Sequence, residues 1–110
     1  MRAACALLAL ALLGGPPALA QEPSPHRIVG GFIMLFVITD ECAIDISPER
    51  RQAMAAAGER LQTKASIPAA EIEAIAAEAA RNLKGADCTQ ARASFDAVSA
   101  DLLAQAARVR

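Results

Sequence analysis

The chain has 110 residues, of which 55% are hydrophobic and 21% charged, a composition that can bury a core and that sets intrinsic disorder aside. The length fits one small domain, and 11 basic against 12 acidic side chains, for a net charge of -1, exclude the electrostatic footprint of a nucleic-acid binder. With no Trp, no Tyr and a single His, the side chains that most often hold ligands or move protons are nearly missing, so the expectation is a protein that is not an enzyme.

The first segment reads as an address. Met1-Arg2 gives a positive start, Ala3 to Leu13 is unbroken apolar sequence, and Gly14-Gly15-Pro16-Pro17 interrupts it just before Ala18-Leu19-Ala20. This is the order of a secretory signal peptide with a small-x-small cleavage site, so residues 1–20 are expected to direct export to the periplasm or beyond, with cleavage after Ala20. The apolar stretch is well short of the roughly 20 residues a membrane-spanning helix needs. Cys5 lies near the start of that stretch and not after a small residue at its end, so it reads as a passenger and not as a lipid attachment point.

Export leaves Cys42 and Cys88 in an oxidising compartment, where an even pair is normally collected into a bridge. A structural disulfide is therefore expected. No C-x-x-C, no haem attachment motif and only His26 as a further soft ligand accompany them, so no metal site and no cofactor are expected.

Residues 21–27 contain Pro23 and Pro25 and no apolar side chain, which predicts a flexible tail ahead of a single helical domain at 28–110. Ile28 to Ile38 is an uninterrupted apolar run, and a fully apolar run fits helix and strand templates equally. A buried helix from about Gly31 to Glu41 is favoured, leading into a short extended Cys42 to Ile46. The alternative is an α+β fold with a short hairpin at about 32–46, suggested by Ile33, Val37, Ile38 and Thr39 and by alternation through Cys42-Ala43-Ile44-Asp45-Ile46.

Helix signals are stronger downstream. Ser47-Pro48-Glu49 places a cap, a first-turn proline and a first-turn acid in order, and Met54, Ala57, Gly58 and Leu61 then share a face. Pro68 can open a second helix whose stripe is Ile72, Ile75, Ala76, Ala79 and Leu83, with Gly85 closing it. Asp87-Cys88-Thr89-Gln90 resembles a capping box, and Cys88, Ala91, Phe95, Val98, Leu102 and Gln105 form the stripe of a third helix ending near Arg108. The fold expected is all-α, a small three- to four-helix bundle stapled by one disulfide, with the bridge buried. Alanine-rich stripes bury little area, so the core needs the large side chains of 28–38.

Arg27-Ile28-Val29-Gly30-Gly31 resembles the activation junction of chymotrypsin-like serine proteases over five residues. The nucleophile motif of that family is missing, and the lone His26 precedes the junction, so the resemblance carries no activity. Glu71 and Glu78, which share a helix with Glu73 and lie seven apart on one side of it, read as a solvated face, and Ser47, Ser66, Ser94 and Ser99 as caps and helix-surface residues.

What remains is a protein that works by binding protein, in a chaperone-like manner, or by self-association. No small-molecule site is evident. In length, export, helicity and one wide disulfide the chain is similar to small periplasmic acid-stress chaperones, which implies capture of unfolding clients and a trigger in carboxylate protonation near pH 4. The candidate interaction segment is Phe32, Ile33, Leu35, Phe36 and Val37. The alternative is a membrane-associated or assembly subunit docking through 28–38.

Overall fold

Four helices follow one another among the described residues, which a computed structural model places at 23–110: α1 (Pro25–Cys42), α2 (Pro48–Lys64), α3 (Ala69–Asn82) and α4 (Cys88–Arg108). The expected signal sequence at 1–20 lies outside the described residues, as do Gln21 and Glu22. The described residues form a small all-α bundle with one disulfide, Cys42 to Cys88.

The helix expected from about Gly31 begins six residues earlier. Ser24 is its cap, its hydroxyl accepting from the Arg27 amide at 3.4 Å, and Pro25 occupies the first turn, where its missing N–H costs nothing. Proline thus starts the helix in the stretch where the sequence suggested a tail, and His26 and Arg27 belong to the first turn of α1. The hairpin alternative at 32–46 is corrected as well. Helix continues to Cys42 and is closed by Ala43 in the left-handed conformation (φ 52), with the Ile44 amide donating back to the Thr39 carbonyl.

α1 is the centre of the bundle. Ile28, Phe32, Leu35, Thr39 and Cys42, spaced alternately by four and three, form a buried stripe flanked by Val29 and Ile38. The other helices supply fewer large buried side chains: Met54 and Leu61 from α2, Phe95 from α4, with Ile67 and Val109 just outside helices. α1, α2 and α4 pack against one another, whereas α3 packs on α1 alone. Gly31 permits the close approach of α4, since a Cβ there would lie 2.9 Å from Leu102 Cδ1.

Arginines fasten these contacts. Arg50 and Arg60, whose positions lie off the apolar stripe of α2, reach α4: Arg50 donates to the Ser99 hydroxyl and Arg60 to the carbonyls of Ala106 and Val109, beside the negative end of α4. Arg92 donates to the Cys42 carbonyl at 2.9 Å and so places a cation at the end of α1, opposing the adverse Asp40 and Glu41. The α4 stripe is correspondingly rotated from expectation. Val98 is 43% exposed and Ser99 fully buried, its hydroxyl satisfied by Arg50 and by its own bond to the Asp96 carbonyl.

Two neighbouring glycines of α1 should respond differently to alanine. A Cβ on Gly30 meets nothing within 4 Å, so Gly30→Ala gains helix propensity and should raise stability by up to about 1 kcal/mol. Gly31→Ala must displace Leu102 and should gain clearly less or lose. Urea unfolding followed by circular dichroism ranks the two.

Candidate functional site

Beside the disulfide, the C-terminal half of α1 and the N-terminal half of α4 diverge around a groove of about 300 Å³. Local signals place its walls. Gly85, at φ 78, turns the chain after α3, the Ala86 amide donates to the Leu83 carbonyl, and Asp87 then caps α4 by accepting from the amides of Thr89 and Gln90 at 3.1 and 3.2 Å. The bond from Cys88 to Cys42 holds this first turn against the last turn of α1.

Small residues leave the hollow. Ala86 and Ala91 sit where larger side chains would have filled the gap between Leu83, Ile38 and Phe95. Leu35, Ile38 and Phe95 are buried beneath it. Met34 and Val98, the large hydrophobics that stay exposed among the described residues, at 48% and 43%, both line it. Asp87, Gln90 and Ser94, three and four residues apart on α4, give a polar edge on one side. No basic side chain lines the groove, and none of its polar side chains is buried. It offers apolar contact, an adaptable methionine and a few hydrogen-bonding groups within reach of water.

The five residues of the candidate segment are divided. Phe32 and Leu35 are buried in the bundle, Leu35 also reaching the groove, while Ile33, Phe36 and Val37 are half-buried. Ile33 and Phe36 line a smaller recess of about 100 Å³ on the other side of α1, between α2 and Ile72 of α3, and the Arg51 guanidinium stands 6.0 Å from the Phe36 ring centre. Docking through the whole of 28–38 would require α1 to leave its core, since Ile28, Val29, Phe32, Leu35 and Ile38 face inward. Ile28, at the protease-like junction, is an interior residue of α1.

Cys42 and Cys88 are bonded, with Cα atoms 5.4 Å apart. The bridge is less deeply placed than its stripe implied: Cys42 is buried, Cys88 half-buried at the start of its helix. Sequence reasoning missed Met34 and Val98. Met34 stands off the four-three stripe of α1, a signal the unbroken apolar run concealed, and Val98 belongs to the stripe that the spacing along α4 predicts to face inward.

Among the described residues no group of three or more His, Cys, Asp or Glu could hold a metal ion, and no helix is long and apolar enough to cross a membrane. Ser47 caps α2, accepting from the Arg50 amide at 3.1 Å, and Ser94 donates to the Gln90 carbonyl. Comparison of the chain with protein-family models, with curated proteins and with solved structures finds no match.

The bridge spans 46 positions, and closing a loop of that length in the unfolded chain corresponds to about 4 kcal/mol. Replacing both cysteines by alanine should lower the unfolding free energy by up to that amount, measured by urea titration against the oxidised chain.

Proposed function

We propose that this chain is an exported, disulfide-stapled helical domain that holds other polypeptides in a chaperone-like manner and catalyses no reaction. Export rests on the charged start, apolar stretch and Ala18-Leu19-Ala20 site of residues 1–20, and on the pairing of Cys42 with Cys88. The observation that carries the binding reading is that Met34 and Val98, both large, apolar and exposed, border one groove.

The occupant that fits is a segment of unfolded polypeptide presenting apolar side chains. Its side chains would enter above Leu35, Ile38 and Phe95, and its backbone would lie along Gln90 and Ser94, which carry the donors and acceptors a peptide group needs. A small polar or charged molecule fits less well, because the polar groups lie on one open edge and do not converge. Met34 suits a site that takes varied sequences, since its unbranched thioether repacks readily.

The test is binding of a reduced, alkylated polypeptide that cannot refold, read by fluorescence anisotropy. The oxidised chain should bind it, and the double variant Met34→Lys, Val98→Lys should bind at least tenfold more weakly with an unchanged helical circular dichroism spectrum. Equal binding by the two proteins would move the site elsewhere, and no binding by the unaltered chain would overturn the reading.

A further inference from the structure

α3 packs on α1, and the chain at its two ends touches the two hollows on either side of α1. Leu83, the residue that follows α3, lines the groove beside Met34, Leu35 and Ile38, while Ile72 in its first turn lines the recess beside Ile33 and Phe36, so α3 runs along α1 between the two. It is the one described helix held by a single neighbour, although its contact with α1 is the most extensive of the helix pairs. α3 packs on no helix but α1, and Ala79 is its one buried side chain, with Ile72, Ile75, Ala76 and Leu83 only half-buried. Pro68 at its start provides no side-chain cap.

The segments that bound α3 are, in contrast, well fixed. Before it, α2 ends in a Schellman closure: the Ser66 amide donates to the Thr63 carbonyl, the Ile67 amide to the Gln62 carbonyl, and Ile67 is buried near Leu61 in the core. After it, Gly85 turns the chain at positive φ and Cys88 is bonded to Cys42. A helix that buries one side chain and packs on one neighbour, between two fixed ends, can open without the rest of the domain and at a lower free energy.

We propose that α3 is a strap that lifts from α1 as a unit, between Ile67 and Cys88, while α1, α2 and α4 stay packed. Lifting joins the two hollows. Ile33 and Phe36 on one side and Met34, Leu35 and Ile38 on the other become one apolar track along α1, long enough for an extended stretch of unfolded polypeptide. This gating rests on the reading that the groove holds such a polypeptide. The disulfide keeps the far end of the strap in place, so closure follows opening without a search.

Amide hydrogen exchange of the oxidised chain, compared with Ala74→Gly, decides it. Ala74 is exposed, so its replacement removes helix propensity and no packing, which weakens α3 about fivefold. Protection of the α3 amides should lie at least tenfold below that of α1, and Ala74→Gly should lower it about fivefold further while α1 and α4 amides keep theirs. A fall shared equally by all four helices would overturn the strap. The same variant should bind the alkylated polypeptide more tightly, by up to the same factor, because more of it is open. Unchanged binding beside the expected exchange pattern would overturn the gating. An unaltered chain that binds nothing would overturn the binding reading, while the exchange data alone decide whether the strap exists.

Discussion

The burial of one stripe, Ile28, Phe32, Leu35, Thr39 and Cys42, is the constraint on which the rest of the molecule depends. The sequence around it is rich in alanine, which forms helix readily but fills little volume. α3 contributes only Ala79 to the interior and α2 only Met54 and Leu61. Large side chains concentrated on α1 therefore supply what the other helices lack, and each of those helices is stable chiefly because it lies against α1. The attachments that cross between helices serve this arrangement: the disulfide and Arg92 hold the end of α1 to the start of α4, and Arg50 and Arg60 hold α2 along α4.

The same economy of volume produces the candidate site. Where glycine meets a large residue, as Gly31 meets Leu102, two helices approach closely. Where alanines line the space between diverging helices, as at Ala86 and Ala91, a hollow remains and apolar atoms of Met34 and Val98 stay in contact with water. A domain of this size cannot cover every apolar surface it needs for folding, and the residue left uncovered beside the staple is the surface on which protein binding is proposed.

Much of the fold was legible because capping chemistry is local. Ser47-Pro48 and Asp87 mark helix starts through hydrogen bonds and backbone preferences spanning only a few residues, and the structure places helix starts there, whereas α3 is closed at Leu83 and Gly85 turns the chain two residues later. Pro68 is the cap of α3 and not its first residue. The start of α1 lies earlier than the apolar run suggests, because Pro25, a breaker inside a helix, follows the Ser24 cap and so serves as a start signal. Burial was legible in outline only. The orientation of α4 turns on Arg50 reaching Ser99 from another helix, and no local pattern reports such a contact. The groove was invisible for the same reason, since it is a space between elements and its rim residues look like ordinary members of apolar runs.

The apolar segment of α1 turns Ile28, Val29, Phe32, Leu35 and Ile38 into the bundle, leaves Ile33, Phe36 and Val37 half-buried, and exposes Met34. Comparing Phe32→Ala with Met34→Ala in urea unfolding tests this arrangement most directly, since Phe32 is 2% exposed and Met34 48%. Phe32→Ala should cost about 3 kcal/mol or more, as expected of a large aromatic removed from a packed core, and Met34→Ala less than about 1 kcal/mol. Similar costs for the two, or a larger one for Met34, would contradict the account and mean that α1 turns a different face to its neighbours.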